Sequence, residues 1–482
     1  MTLPIVAGFH PDPSICRVGD AYYLANSSFE YVPGVPIRRS TDLVSWELLG
    51  HALTRPDQLP PSDGAANTGV YAPTLRHHDG RFHLVTTDIL EAHRGHLIVT
   101  AEDPAGPWSG PVHVGGTTGI DPDLCWDDAG VCHLTWASFA PELPGIASVP
   151  IDPATGAMLG EPRLLWNGTG LAAPEGPHLY RVGGWWYLLL AEGGTERGHA
   201  VTIARARTLA GPFEPAPGNP ILSHRSTTHP VQNTGHGDLV ECADGSWAMV
   251  YLGVRPRGKT PQFHVNGRET FLAGVDWVDG WPVVAEDRFP IEPADHSFTD
   301  GFATAALHPR WVAPGVGPET FTRWAGPGEL VLTKGRALLT RALDEQWTAV
   351  AHLDVSRGTA KFLVRIDDRH WYGLTADGAT VTATLAIGPA RHPVTTVAAG
   401  ALVSLRIRAL RPPVSGPFNE AAEPDLLELS VLRDDGRARV LGSFDGRYLS
   451  TEVAAGFTGR MIGVEVLDGT ATLREFGYLT GR

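Results

Sequence analysis

The sequence predicts an all-β chain, a five-bladed β-propeller followed by a β-sandwich, and three observations carry that prediction. The first is composition: Gly 56 and Pro 40 sum to 96 of 482 residues, roughly 20% against about 12% in average usage. With 14 Trp and no low-complexity tract, this surplus marks tight turns between many short strands. The second is a repeat in the first three fifths of the chain. The third is that no sustained 3.6-residue periodicity supports long helices. At 482 residues two domains are the natural expectation. The propeller is placed over residues 1–292 and the sandwich over 298–482.

The repeat comprises five units: PSICRVGDAYYLANS from Pro13, PTLRHHDGRFHLVTT from Pro73, PDLCWDDAGVCHLTW from Pro122, PHLYRVGGWWYLLLA from Pro177 and GDLVECADGSWAMVY from Gly237. Each opens with Pro or Gly and a short apolar run, meets a turn signal and closes on a second apolar or aromatic run. That is strand, tight turn, strand. Start points 60, 49, 55 and 60 residues apart suit four-stranded blades with variable loops, and radial repetition of such blades gives a propeller.

The same register places the acids. Immediately before each shared Pro or Gly stand Asp12, Ala72, Asp121, Gly176 and His236, with Pro11, Tyr71, Ile120, Glu175 and Gly235 one residue earlier. If each unit opens its blade with the innermost strand, these positions ring one end of the central channel. Asp12, Asp121, Glu175 and His236 then converge on one pocket. Like charges at close range destabilise a fold, so three convergent carboxylates point to chemistry. Asp12 is further fixed between Pro11 and Pro13, which restrict the backbone on both sides.

After about residue 292 the pattern changes. PIEPADHSFTDGF reads as a linker, and alternating runs follow at KFLVRID, ALVSLRIRA, LLELSVLRDDG and MIGVEVLDGTATL. Short strands with DG turns suggest an antiparallel sandwich in a supporting or substrate-edge role.

Several function classes drop out. A net charge of −15 argues against nucleic acid. The longest strongly apolar run, WWYLLLA, is far short of a membrane span. The N-terminal MTLPIVAGFHPDP lacks a basic n-region and apolar h-region, so a cytoplasmic location is expected. Four cysteines without CxxC spacing are expected as reduced, buried thiols, although Cys125 and Cys132 flank a turn. The cluster RHHDGRFH straddles a turn and is expected as a solvated loop. No P-loop, dinucleotide fingerprint, GxSxG elbow or HExxH motif is present.

Paired carboxyls suit glycoside hydrolysis, in which one protonated acid serves the leaving oxygen and a second carboxylate acts on the opposite face. Glu175, with the longer reach and beside Ala172, Ala173 and Pro174, is the candidate acid. Its pKa is expected to be raised by desolvation and by Asp121. Asp12 is the candidate base, and Asp121 would orient and tune the acid. A non-catalytic, lectin-like sugar-binding propeller is the alternative, and a protein-interaction propeller a third reading.

At these residues a resemblance appears. FHPDPSICRVGDAYYLA, GIDPDLCWDD, PEGPHLYRVGGWWYLL and NGRET resemble blocks of glycoside hydrolase family 43, especially its β-xylosidase and α-L-arabinofuranosidase branch. GFTGRMIGVEVLDGTATLREFGYL resembles the end of the accompanying sandwich. The resemblance implies an inverting, exo-acting enzyme that releases β-D-xylose and/or α-L-arabinofuranose from the non-reducing end of hemicellulose oligosaccharides. It implies Asp12 as general base, Asp121 as pKa-modulating acid and Glu175 as general acid. It matches His236 to a channel histidine, Arg268 to an arginine on the terminal sugar, Phe29 to an aromatic wall and Phe457 to a sandwich residue over the pocket mouth. No cofactor is required on this reading, although relatives often hold calcium or another ion near the histidine, which makes His236 a candidate ligand. The expected partner is a xylo- or arabinoxylo-oligosaccharide, with the sandwich offering surface for a homo-oligomer. The chain departs from its xylosidase relatives at Tyr71-Ala72-Pro73, where they carry Trp-Ala-Pro. That change alters an aromatic contact on the sugar and leaves the choice of sugar open.

Overall fold

The computed structural model describes residues 3–258, 261–411, 424–433 and 435–481. The outermost limits expected for the two domains, residues 1 and 482, lie outside the described residues.

Residues 14–285 form five antiparallel sheets, each following chain order from its first strand outward. Blade 1 runs from Ser14–Val18 to Glu47–Leu53, and blade 2 from Thr74–His78 to Val112–Val114. Blade 3 starts at Gly119–Trp126, and two short strands, Ala157–Met158 and Arg163–Trp166, share its outer edge. Blade 4 runs from Glu175–Val182 to Glu214–Pro215, and blade 5 from Gln232–Glu241 to Trp281–Ala285. The first strands contact one another in the cyclic order 1-2-3-4-5-1, so the sheets close into a five-bladed propeller. The amino-terminal segment bridges the ring closure, with Val6 paired to Thr270 of blade 5.

The turn signals fall where the repeat put them. Pairings Val18↔Ala21, His78↔Arg81 and Val182↔Trp185 leave Gly19-Asp20, Asp79-Gly80 and Gly183-Gly184 as two-residue hairpin loops. This corrects the expectation for RHHDGRFH, which is a hairpin with Arg76 turned into the channel. It also settles the thiols. Trp126, not Cys125, pairs with Cys132, so the two cysteines face opposite sides of blade 3, and all four are free and buried. Trp136 is core, whereas Phe139 stands 60% exposed beyond the end of its strand. Asn26 is buried, its amide spent on the carbonyls of His10 and Pro11 and on Thr270.

From Phe298 onward twelve strands form one connected antiparallel sheet around a single apolar cluster that includes Trp311, Trp347, Phe362 and Phe476. Two long strands, Trp347–Arg365 and Met461–Thr480, pair along most of their length and form its spine. Asp468-Gly469, expected as a turn, does not end a strand. The pairing register shifts around it instead, and Gly469 takes φ 63° while the strand continues. The two parts are tied directly. Ala313–Pro314 pairs with Tyr31–Val32 from the blade 1 loop, and Arg341 donates to the Phe9 carbonyl at 2.8 Å. Among the described residues no helix is long and apolar enough to cross a membrane.

Candidate active site

The repeat residues sit at a strained collar around the channel. In blades 3, 4 and 5 the innermost strand begins two to five residues before the repeat unit. The pairing register then shifts between Ile120 and Asp123, between Glu175 and His178, and between Gly235 and Asp238. The shared position therefore lies on a bulge inside the strand rather than before it, and a bulge re-aims the side chains it carries. Asp12, Asp121, Gly176 and His236 all take left-handed backbone, with φ of 51°, 55°, 56° and 45°. Glycine adopts this conformation freely, whereas an aspartate or histidine is strained there, and such strain concentrates at functional sites. Gly176 has a second constraint, because a Cβ would meet the His236 ring at 3.1 Å.

Below the collar, one buried network joins all five innermost strands. Arg76 of blade 2 contacts Asp123 of blade 3 and Asp238 of blade 5, both at 2.8 Å. Asp238 also accepts from Ser14 of blade 1 at 2.7 Å and from Tyr180 of blade 4 at 2.5 Å. Burial works to raise the Asp238 pKa, yet Arg76, His178 and Tyr180 hold it far below the carboxylate range. Ser14, Asp123, His178 and Asp238 each lie two residues after a collar position. Period-two alternation along a strand makes them the next layer down the same face.

One cavity of about 70 Å³ is lined by Asp12, Phe29, Tyr71, Ala72, Asp121, Glu175, His236, Arg268 and Phe457. Every candidate site residue from the sequence is thus brought together. Ile120 and Thr195 complete the lining; the repeat placed Ile120 on the channel ring without a role, and sequence reasoning missed Thr195. Thr195 lies in a loop between two blade 4 strands, Trp185–Glu192 and Ala200–Ala206, with no repeat partner to mark it. A larger cavity of about 460 Å³ shares Thr195, Arg268 and Phe457 with the first.

The acids occupy contrasting environments. Asp12 accepts from Arg268 at 2.8 Å through one oxygen and from Ser27 at 2.5 Å through the other. Its burial opposes ionisation, but Arg268, His236 and the Ser27 hydroxyl outweigh burial and hold the pKa below its ordinary value. Glu175 has no comparable donor. Burial, then the charge of Asp12, push its pKa up to about 7. Asp121 is pushed well up by burial and by the neighbouring Glu175 and Asp12, with the Gly176 N–H at 3.1 Å as partial compensation. His236, 3.7 Å from Asp12, is held near 4 by burial, so its imidazole is neutral at pH 7.

An aromatic wall stands over the acids. Phe29 and Phe457 stack with centroids 5.5 Å apart, and Tyr71 closes on both at 5.0 and 6.0 Å. Phe29 is positioned by paired backbone hydrogen bonds with Val70, and Gly69 is required there because a Cβ would lie 2.2 Å from the Phe29 carbonyl. Phe457 arrives from the carboxy-terminal part. Its N–H donates to Asn67 at 2.8 Å, and the Asn67 amide donates to Ala455.

Calcium takes six to eight oxygen ligands. Near His236, the carboxylates of Asp123 and Asp238 are already engaged by the Arg76 guanidinium. Among the described residues His236 belongs to no group of three side chains able to hold an ion. The surroundings of His236 do not fit a calcium cage built from side chains.

The chain is similar to several known proteins. A protein named non-reducing end α-L-arabinofuranosidase from Bacteroides ovatus is 47% identical over 289 residues, covering 59% of this chain and 53% of that protein. The chain thus spans about half the length of the curated relatives it matches. Among solved structures, the Bacteroides ovatus xyloglucan-locus GH43B superposes over 100% of both chains with a TM-score of 0.88 at 33% identity. A xylan β-1,4-xylosidase from Bacillus halodurans does so over 99% of this chain and 100% of its own, with a TM-score of 0.88 at 28% identity. The family model described as glycosyl hydrolases family 43 matches residues 1–282, the whole propeller save its last few residues. The collar lies within that matched span, and the chain is a member of glycosyl hydrolase family 43.

Proposed function

We propose that this chain is an exo-acting, inverting glycosidase that releases β-D-xylose and/or α-L-arabinofuranose from the non-reducing end of xylo- or arabinoxylo-oligosaccharides. One observation carries the reading. Two carboxyls line the same small cavity with pKa values driven apart, Glu175 up to about 7 and Asp12 below its ordinary value. Such a split assigns acid and base. Near pH 7 Glu175 retains a proton to give the glycosidic oxygen, while ionised Asp12 takes one from the attacking water. Asp121 accepts from the Gly176 N–H beside the acid, and the charge of Glu175 helps raise its pKa, so the two carboxyls resist being ionised together. Arg268 holds Asp12 ionised while its guanidinium lies 5.6 and 5.5 Å from the rings of Phe29 and Phe457. The chemistry calls on no cofactor.

The small cavity suits one terminal sugar, and the larger one beside it suits the rest of the chain. The relatives' names, an α-L-arabinofuranosidase and a xylan β-1,4-xylosidase, support both sugars. We divide the chain into a catalytic propeller over residues 1–292 and a β-sandwich over 298–482. The twelve-stranded sheet and its own apolar cluster support that division.

The test is turnover of 4-nitrophenyl β-D-xylopyranoside against the α-L-arabinofuranoside, with proton NMR of the first-formed anomer. Release of an inverted sugar supports the proposal. Binding of xylobiose without any monosaccharide would sink it in favour of a lectin.

A further inference from the structure

Away from the acids, a second cluster of metal-type ligands joins the beginning of blade 5 to its outer edge. His224 and His229 lie in the connection from blade 4, just before the innermost strand Gln232–Glu241, and Glu286 follows the outermost strand, Trp281–Ala285. One ligand atom from each of the three lies within 4.8 Å of the others. None of them lines the acid-bearing cavity.

Hydrogen bonds around the cluster orient its two rings and its carboxylate. His224 Nδ1 lies 2.8 Å from the Val231 carbonyl oxygen, and His229 Nδ1 lies 3.1 Å from the same oxygen and 3.2 Å from the Val231 nitrogen. In the tautomer whose Nδ1 donates to that carbonyl, Nε2 is the atom each ring has left to offer a cation, and for His229 this tautomer gives up the hydrogen bond that Nδ1 otherwise accepts from the Val231 N–H. His224 Nε2 stands 2.9 Å from Glu286 Oε2. A nitrogen lone pair facing a carboxylate oxygen at that distance needs a proton or a cation between the two atoms. The other oxygen, Glu286 Oε1, accepts from the Tyr251 hydroxyl at 2.9 Å, which fixes the carboxylate plane. The loop is itself braced. Gln232 donates to the His229 carbonyl at 2.8 Å, and Thr227 donates to the His224 carbonyl at 2.7 Å.

We propose that His224, His229 and Glu286 bind a zinc-class divalent cation, with water as the fourth ligand. Two imidazoles and one carboxylate favour zinc, nickel or cobalt over the all-oxygen demands of calcium or magnesium. Tetrahedral zinc with bonds of about 2.0–2.1 Å needs its ligand atoms roughly 3.3 Å apart, so the His224–Glu286 pair opens slightly from 2.9 Å while the third ligand closes from within 4.8 Å. His224 is buried, whereas His229 and Glu286 are only partly so, which leaves an open side for the water. The ion would clasp blade 5 across its width and stiffen the strand that carries Asn233 and His236. Its role is structural.

The experiment uses the full chain without an affinity tag, stripped with EDTA and titrated with zinc chloride by calorimetry, with thermal melts in parallel. One saturable equivalent is expected, together with a Tm rise of a few degrees. His229→Gln and Glu286→Gln should each weaken binding by at least about tenfold and abolish the Tm rise. Circular dichroism shows that each variant is folded. Two variants keep the test valid if one fails to fold. No zinc bound by the parent chain would mean that the cluster is a plain protonated ion pair. Equal zinc binding by parent and variants would mean that the ion sits elsewhere. Either result overturns the proposal.

Discussion

Arg268 Nη1 donates to Asp12 Oδ1 at 2.8 Å across 256 residues of chain, and the same nitrogen reaches the Thr195 hydroxyl at 3.1 Å. This contact keeps a buried carboxylate ionised at the floor of the candidate site. Without it, burial would dominate and the Asp12 pKa would rise.

Arg268→Met should therefore shift the acid limb of the kcat/KM profile to higher pH and lower its maximum by about 10²-fold or more. Arg268→Lys should recover part of the limb but little of the rate, because an ammonium keeps the charge and loses the planar fork. The check is a pH–rate series on 4-nitrophenyl β-D-xylopyranoside. An unmoved acid limb in Arg268→Met would show that Asp12 is held ionised by something else.

Glu175 should set the alkaline limb, with activity falling as pH rises through about 7. Glu175→Gln should remove that limb. Its loss of rate should be smaller on the nitrophenyl glycoside, whose leaving group needs little protonation, than on xylobiose, where the loss should reach about 10²–10⁴-fold. Equal losses on both substrates would count against Glu175 as the proton donor.

Stability follows from the same shift. The folded Glu175 pKa, about 7, lies above its ordinary 4.5. The carboxyl is thus tolerated below pH 4.5 and costs stability increasingly as pH rises toward 7. Glu175→Gln should stabilise the fold at pH 8 by on the order of 3 kcal/mol, seen as a higher Tm, and leave Tm nearly unchanged at pH 4. Melts at the two pH values check both halves.

Much of this site is legible in the sequence because it is built by repetition. Five homologous strand starts fix five collar positions, and side chains at equivalent positions in a radial fold must meet at the axis. Asp12, Asp121, Glu175 and His236 were legible for that reason. The bulges were not, because the pattern marks where a unit begins to look regular and not where pairing begins. Blade 3 accordingly starts at Gly119 rather than at Pro122. Arg76 was misread as solvated because its neighbours His77, His78 and Arg81 are polar. Strand alternation sends it inward to partners from blades 3 and 5 that no local window contains. In the carboxy-terminal part, Asp468-Gly469 looked like a hairpin turn, but the long partner strand Trp347–Arg365 carries the ladder past it.

Arg76 gives a stability prediction independent of catalysis. It sits between Asp123 and Asp238, whose side chains are fully buried. Arg76→Met fills similar volume but leaves two carboxylates without their cation, and breaking such a pair costs about 3–5 kcal/mol. Denaturation should show a loss of that size, larger at pH 8 than at pH 4, where protonation can relieve the stranded carboxylates. A neutral effect on stability would show that the network does not hold the five blades together.

The last prediction concerns how the two parts of the chain complete the site. Phe457 reaches the cavity because its N–H is received by Asn67, 390 residues away, and the Asn67 amide returns a hydrogen bond to Ala455. Asn67 holds φ 64°, a conformation asparagine tolerates better than most side chains. Asn67→Ala removes both hydrogen bonds without touching an acid, so it should raise KM several-fold while leaving the pH limbs where they are. Phe457→Ala should do the same and more, because it also removes the stacked face over Phe29 at 5.5 Å. The double variant should be no worse than Phe457→Ala alone, since Asn67 acts on substrate only through that ring. Additive losses would place Asn67 in contact with the sugar itself and dissolve the link between the propeller loop and the carboxy-terminal loop.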